Sequence, residues 1–117
     1  MKDEDGIVQL WTVSPNGGEL TQLTHDVHDI SSAFTWSPDG RWIAHVLEHC
    51  VCITETSSGT THRLTQPADP PFAPRPEACV FSPAGQQIAC LRPVISQGRT
   101  WNQIFVVTCG PSWLKLD

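Results

Sequence analysis

Short apolar runs separated by turn residues dominate the chain, and two of these runs nearly repeat each other. Residues 34–46 read FTWSPDGRWIAHV, and residues 79–91 read CVFSPAGQQIACL. Equivalent positions, such as Ser37 and Ser82, lie 45 residues apart. Each run predicts a strand, a tight Ser-Pro-x-Gly turn and a second strand, because proline presets φ and glycine accommodates positive φ in such turns.

A second sequence element also recurs along the chain. Residues 9–24 read QLWTVSPNGGELTQLT, and residues 50–65 read CVCITETSSGTTHRLT. Each predicts a third strand, a turn and a short fourth strand that ends in Leu-Thr, and the Asn16-Gly17 pair is a strong hairpin signal. No segment shows helical periodicity over about 11 residues, so the pattern indicates an all-β fold.

The turns also predict how the strands pair. Pairing that is symmetric about each Ser-Pro turn places Phe34 opposite His45 and Cys79 opposite Cys90. A slip of one residue would move every side chain to the other face of its sheet, so this register decides which residues share a face.

The repeat sets the expected domain organisation. Four antiparallel strands in a unit of about 40–45 residues match one β-propeller blade. A small β-sandwich also uses many short strands, but it gives no reason for the same turn to recur in phase with the same third strand. We therefore expect an incomplete propeller of about two and a half blades, with Trp11, Trp36 and Trp42 packed between blades. The expected divisions begin with the second half of a blade and its crossing loop at residues 1–32, followed by a complete blade at residues 33–66. A proline-rich connection follows at residues 67–77, and a complete or nearly complete blade at residues 78–117.

The order W-S-P-D-G-x-x-I-A, a β-branched strand and then G-G-E-x-x-x-L-T resembles the TolB-like propeller repeat, which is similar to WD repeats but distinct from them. The resemblance covers nearly the whole chain. It implies a scaffold that also serves prolyl oligopeptidase-like peptidases and oligogalacturonate lyases, and it implies a bacterial, envelope-associated protein. Ala84 stands where the family usually has Asp, so we expect Asp39, at the equivalent position, to bond the backbone of its own turn.

Charge and composition narrow the classes of partner and compartment. A net charge of −5 argues against nucleic acid, which requires a basic face. No apolar run approaches the ~20 residues of a membrane-spanning helix. The acidic start, MKDEDG, is not a signal peptide, so the chain as it stands is expected in the cytoplasm, whereas the family resemblance together with a missing upstream segment would place it in the periplasm or envelope.

The predicted first blade lacks its first two strands, which leaves open strand edges. Open edges pair readily with other chains. We therefore expect either a protein partner or further copies of this chain, as a homo-oligomer, and we expect the chain to be part of a longer propeller.

The segment LTHDVHD is the most suggestive cluster of polar side chains. His25 and His28, flanked by Asp26 and Asp29, have the side chains that bind Zn, Mn or Ni. In oligogalacturonate lyases, histidines near the central channel hold a metal, and the resemblance extends that role to this loop. The alternative is an ordinary polar loop, for which His and Asp are suited. A divalent metal is therefore expected only if the chain comes from such a lyase, and no cofactor is expected otherwise.

Two irregular segments are candidate binding loops. Five prolines stiffen residues 67–77, from which Phe72 and Arg75 are expected to project. Residues 93–101 are expected to form a long turn that carries Arg99 and Trp101 outward, between strands that end at residue 92 and restart at 103.

Sequence motifs for catalysis are absent. The chain has neither a G-x-S-x-G nucleophile elbow nor a phosphate-binding loop with Lys. Its five cysteines are expected to be reduced, half-buried strand residues. The expected function is therefore non-catalytic, a propeller module that binds a protein or small ligand. The alternative is a fragment of a propeller enzyme, either a metal-dependent lyase or the propeller of a peptidase.

Overall fold

The computed structural model describes residues 1–30, 34–66, 73–75 and 79–108. Within those ranges the protein is all-β, with antiparallel strand pairs and no helix, and hence with no helix of the length and apolarity needed to cross a bilayer. The strands form three sheets. The first contains β1 (Trp11–Thr12) and β2 (Thr21–Gln22), the second contains β3 (Phe34–Trp36), β4 (Trp42–Leu47), β5 (Cys50–Glu55) and β6 (Thr61–Arg63), and the third contains β7 (Cys79–Phe81), β8 (Gln87–Ser96) and β9 (Arg99–Thr108).

The register predicted from the Ser-Pro turns is confirmed. Phe34 pairs with His45, and Cys79 pairs with Cys90. The two turns also close in the same way, because the glycine N–H donates to the carbonyl of the serine at 2.9 Å in each. The 45-residue repeat is therefore preserved in backbone geometry as well as in sequence.

The prediction of a long turn at residues 93–101 is wrong. β8 continues to Ser96 and β9 begins at Arg99, so only Gln97 and Gly98 form the turn, both with positive φ. A two-residue turn of this kind matches the right-handed twist of the strands on either side.

Pro93 does not end β8, because its ring nitrogen faces the edge of the strand that does not pair with β9. The carbonyl of Leu91 accepts a hydrogen bond from the backbone of Arg75 on the side of β8 away from β9. Groups two residues apart point to the same edge of a strand. The missing N–H of Pro93 therefore lies on the side away from β9, where proline is tolerated.

Two apolar clusters join the three sheets face to face. The first lies between the first and second sheets and contains Leu10, Ile30, Ile43, Leu47, Cys50 and Cys52, with Leu23 packed against them. The second lies between the second and third sheets and contains Trp42, Ala44, Val51, Ile53, Cys79, Phe81, Ile88 and Cys90, with Leu64 and Phe105 packed against them. Since strand side chains alternate between faces, the second sheet is buried on both sides, and every residue of β4 is buried.

The three tryptophans expected between the sheets differ. Trp11 is half-buried beside a groove of the first sheet and belongs to neither apolar cluster, so it does not pack between the described sheets. Trp42 is buried in the second cluster, as predicted. Trp36 is 50% exposed, so the expectation that it packs between sheets is wrong. Trp36 shares a face with Phe34, which is also exposed, and this face points toward the first sheet. The two described strands of that sheet cover β4 and β5 but do not reach β3.

Glycine turns allow the close approach of neighbouring sheets. Gly59, in the β5–β6 turn, has a positive φ of 76°, and a Cβ atom there would overlap the carbonyl oxygen of Leu23 in the first sheet. Gly85 plays a milder part in the next interface, since its Cβ would lie 3.3 Å from Cδ of Pro38. The spacing between the sheets therefore depends on the absence of a side chain at residue 59.

Candidate functional site

The candidate residues collect at one end of the stacked sheets. Because neighbouring strands are antiparallel, one end of the stack holds the β4–β5 and β8–β9 turns. At that same end β2 and β6 finish, and β3 and β7 begin. We call this the loop end. Five candidates belong to segments at or near this end: His25, His28, Arg75, Arg99 and Trp101. Phe72 lies outside the described residues.

The loop after β2 is held by hydrogen bonds from its own carboxylates. Oδ1 of Asp26 accepts the backbone N–H of His28 at 3.1 Å, and Oδ1 of Asp29 accepts the N–H of Val8 at 2.8 Å. The side chain of Gln9 bridges to the backbone of Asp26, accepting its N–H and donating to its carbonyl. The carboxylates that would support a metal site therefore serve the loop backbone instead.

The two histidines of this loop contact different partners. Nδ1 of His25 lies 3.1 Å from Nε2 of Gln22, and its side chain is otherwise exposed. Nε2 of His28 pairs with Oε1 of Glu48, in the β4–β5 turn of the second sheet. Among the described residues no group of three or more His, Cys, Asp and Glu is placed to hold a metal ion. The geometry thus favours the polar-loop interpretation of His25 and His28 over the metal-site alternative.

Glu48 is the centre of a charged cluster at the loop end. Besides His28, it contacts Nη2 of Arg63 at 2.5 Å, while Nη1 of Arg63 donates to the sulfur of Cys50 at 3.5 Å. Glu48 and His49 form a two-residue turn in which both residues have positive φ. The cluster ties the first sheet's exit loop to the second sheet, which is a structural role.

Arg75 is bound to the long β8–β9 hairpin. Its backbone N–H donates to the carbonyl of Leu91 at 2.7 Å, and its Nε donates to Oδ1 of Asn102 at 3.2 Å. Part of the proline-rich connection thus runs beside β8 and brings one candidate cation against the hairpin.

Arg99 and Trp101 belong to the same hairpin but lie on its other face. They are two residues apart in β9 and so share a face, whereas Asn102, which holds Arg75, faces the opposite way. Trp101 is 45% exposed, and Arg99 is exposed. The structure therefore separates the predicted loop surface into Arg75 on one face and the Arg99–Trp101 pair on the other, and it places this pair on a strand rather than in a loop.

Sequence analysis missed an apolar surface on the third sheet. Its five members alternate along β7, β8 and β9 on the face that points away from the second sheet: Val80, Ala89, Leu91, Ile104 and Val106. Four of them, with Cys90, line a shallow hollow of about 220 Å³. We call these five residues the open face. The signal is the unbroken apolar run IFVV at residues 104–107, which puts apolar side chains on both faces of a strand.

Sequence analysis also missed a buried histidine. His45 is fully buried, its Nε2 lies 2.7 Å from the hydroxyl of Thr54, and that hydroxyl lies 2.7 Å from the hydroxyl of Thr61. Nδ1 of His45 has no hydrogen-bond partner among the described residues. Burial lowers the pKa of His45 to about 4, against the opposing effect of the Asp26 charge. The imidazole is therefore neutral at physiological pH.

The four described cysteines form no disulfide bond with one another, and all of them are buried, so the expectation that they are half-buried is wrong. They are Cys50, Cys52, Cys79 and Cys90. Burial raises the pKa of Cys52 to about 12 and also raises the pKa of Cys90. A thiol with a raised pKa is a poor nucleophile, so these residues act as small apolar core side chains.

Comparison with known proteins gives one informative relative. The chain is 48% identical over 90 residues to a protein of Escherichia coli (strain K12) named uncharacterized protein YidR. The match covers 76% of this chain and 21% of that protein, so the chain spans about a fifth of the length of the curated relative it matches. No protein-family model matches the chain.

Proposed function

We propose that this chain is a segment of a TolB-like β-propeller and that it serves as a non-catalytic binding or scaffold module. The observation that supports the proposal is the way in which successive sheets pack. Equivalent positions of the 45-residue repeat have equivalent strand pairings, and the second sheet presents one face to the first sheet and the other to the third. Stacked antiparallel sheets built from one sequence repeat are the building units of propellers, whose complete blades have four strands.

The side chains that could do chemistry support a non-catalytic role. The Glu48 cluster links two sheets, the carboxylates of Asp26 and Asp29 bond the backbone, and His45 is buried between sheets. Catalysis requires a nucleophile, acid or base within reach of a substrate. In the described part of the chain, these groups are engaged in holding the fold.

The binding surface of this module is the loop end. Arg99 and Trp101 share an exposed face of β9, and they combine a fixed positive charge with a large aromatic surface. Trp and Arg are the side chains most often found at the energetic centres of protein interfaces. A protein segment or small ligand with a negative group beside an apolar surface fits this pair best.

A binding comparison tests the role of the loop end. Proteins and small molecules retained by the immobilised wild-type chain from a bacterial extract should be lost with the double variant Arg99→Ala and Trp101→Ala. The matched control is Val13→Ala and Leu20→Ala, which removes exposed apolar surface near the opposite end of the first sheet. Identical retention by the wild type and by both variants would contradict the assignment of this surface.

Metal content separates the module from the lyase alternative. The wild-type chain and the double variant His25→Ala and His28→Ala are equilibrated with Zn²⁺ or Mn²⁺ and desalted, and bound metal is then measured. We expect no histidine-dependent metal. One metal ion per chain that disappears in the double variant would contradict the non-catalytic proposal and favour a metal-dependent enzyme.

A further inference from the structure

The second and third sheets have equivalent faces with very different surroundings. Ala44 pairs with Ile53 in the second sheet, and the repeat places Ala89 and Val106 in the same relation in the third. Two residues further along the same face, Val46 pairs with Val51 in the second sheet, and Leu91 pairs with Ile104 in the third. The open face of the third sheet is thus the counterpart of the second-sheet face that packs against the third sheet.

The side chains of these equivalent positions have the same chemistry but not the same burial. Val51 and Ile53 are 0% exposed, whereas Ile104 and Val106 are 67% and 57% exposed. Val80, beside them on β7, is 55% exposed. Contiguous aliphatic surface of this kind is uncommon in water and marks a contact surface.

The sequence repeat indicates what such a face contacts. In the second sheet it is covered by the inner side of the third sheet, which presents Cys79, Phe81, Ile88 and Cys90. We propose that the open face is the docking surface for a further antiparallel sheet of the same repeat, with a face of the same small, aliphatic and aromatic character. This inference deepens the propeller organisation proposed above and rests on it.

The length of the relative is consistent with such a partner. The matched 90 residues are 21% of the Escherichia coli protein, so most of that chain lies outside the match and has room for additional sheets.

A second copy of this chain stacked head to tail fits the open face poorly. The side of the first sheet that would meet it carries a groove of about 590 Å³ whose lining is mostly polar or charged and includes Lys2, Asp3, Glu4, Asp5, Gln22 and Asp26. Burying carboxylates against aliphatic side chains without partners is costly. Chemistry therefore favours a sheet with an apolar face over the first sheet of another copy.

The test supplies the missing sheet in the same polypeptide. A tandem chain in which a second copy of residues 25–117 follows Asp117 places a crossing loop and another second sheet after the third sheet. That added sheet presents the face of Phe34 and Ile43, which in the single chain points toward the first sheet. The substitution Ile104→Cys in the first copy then reports whether the open face is covered, through its rate of alkylation measured by peptide mass spectrometry.

In the single chain, we expect Ile104→Cys to be alkylated as fast as Val27→Cys, because both positions are exposed. In the tandem chain, alkylation at residue 104 of the first copy should slow by at least about tenfold, since reaction of a buried group requires local opening. Val27→Cys in the first copy is the matched control, and its rate should not change.

Three outcomes would overturn the proposal. One is equal alkylation at residue 104 in the single and tandem chains while circular dichroism shows added β-structure. Another is a tandem chain that gains no β-structure, since equivalent repeats should stack. The third is protection of residue 104 in the single chain together with a doubled mass by light scattering, which would assign the open face to a second copy. Each outcome is independent of the metal and retention measurements, so failure of the docking surface is distinguishable from failure of the proposed function.

Discussion

The second and third sheets are built from the same repeat, and they differ most in what lies beside them. Both have a strand, a Ser-Pro turn, a second strand and a third strand in matching register. The second sheet has a neighbour on each side and buries both faces of β4 and β5, whereas the third sheet has a described neighbour on one side only. The same alternating pattern therefore produces a core in one sheet and an exposed surface in the other, and burial reflects the neighbour more than the strand.

The most direct way to break this comparison is to truncate equivalent side chains. Ile53→Ala removes a fully buried side chain from the second sheet, and we expect it to lower the free energy of unfolding by about 3–4 kcal/mol. Val106→Ala removes its exposed counterpart in the third sheet and should cost less than about 1 kcal/mol. Urea unfolding followed by circular dichroism measures both. Equal losses would show that the two faces have the same surroundings in solution.

A second comparison concerns glycine turns with and without a neighbouring sheet. Gly59→Ala combines a positive φ with a clash against the Leu23 carbonyl, so we expect a loss of about 3 kcal/mol in the free energy of unfolding. Gly40→Ala has a similar φ of 73° and open space around the new methyl group, so it should cost only about 1 kcal/mol. Thermal unfolding of the two variants checks the difference. If Gly40→Ala proved as costly as Gly59→Ala, the close approach of the first two sheets would be in doubt.

The third comparison is between His45 and its counterpart Cys90. The pKa of His45 is about 4 in the folded chain and near 6.5 when unfolded, so the unfolded state binds a proton first as the pH falls. Stability is therefore complete above about pH 6.5 and is lost as the pH falls toward 4, at up to about 1.4 kcal/mol per pH unit.

The variant His45→Cys, which copies the third sheet, should remove this part of the pH dependence. Denaturant unfolding at several pH values between 4 and 7 measures the difference between wild type and variant. Carboxylates titrate in both proteins, so their contribution to the pH dependence of stability cancels when the free energies of unfolding of wild type and variant are subtracted. Parallel stability curves for the two proteins would rule out a buried, neutral imidazole at residue 45.

A smaller effect is expected from the two-residue turns that join the second and third strands. Gly98 takes the second turn position in the third sheet, whereas His49 occupies it in the second sheet with φ of 64°. His49→Gly should relieve left-handed backbone strain and stabilise the chain by up to about 1 kcal/mol, partly offset by the greater freedom of glycine in the unfolded chain. His49→Ala, which keeps the strain, is the control. A loss of stability on His49→Gly would mean that the imidazole makes an important contact.

The smallest effect concerns the Ser-Pro turns. Oδ1 of Asp39 accepts hydrogen bonds from the Ser37 hydroxyl at 2.6 Å and the Arg41 N–H at 3.0 Å, and the first of these does most to lower the pKa of Asp39. Ala84→Asp should form the same hydrogen bonds in the third sheet and slightly raise the melting temperature of the chain. Asp39→Ala should lower it by a similar amount. A shift of the same sign for both substitutions would contradict the equivalence of the turns.

The local features of the fold could be predicted from the sequence because short-range chemistry determines them. The Ser-Pro turns fixed the pairing of Phe34 with His45 and of Cys79 with Cys90, and the structure has both pairs. The backbone role of Asp39 followed from the known behaviour of Asp in turns, and its two hydrogen bonds agree.

Features that depend on neighbouring elements could not be predicted in this way. The sequence predicts that a strand ends just before Pro93. β8 continues past it because the proline nitrogen lies on the edge of β8 that does not pair with β9, and the sequence of one strand does not reveal which edge is paired. The exposure of Trp36 depends on the extent of the first sheet, and the bond from Arg75 to Asn102 joins residues 27 positions apart. The separation of Arg75 from Arg99 and Trp101 follows from the same long hairpin.

The most direct measurement of the central claim is the solvent exposure of equivalent methyl groups in the single chain. Methyl NMR with a soluble paramagnetic probe should leave Val51 and Ile53 sharp and should broaden Ile104 and Val106 strongly. That result would establish that equivalent faces of one repeat have different environments, because a neighbouring sheet covers the face of the second sheet and leaves that of the third sheet exposed. Equal broadening, or equal protection, at all four positions would contradict the account.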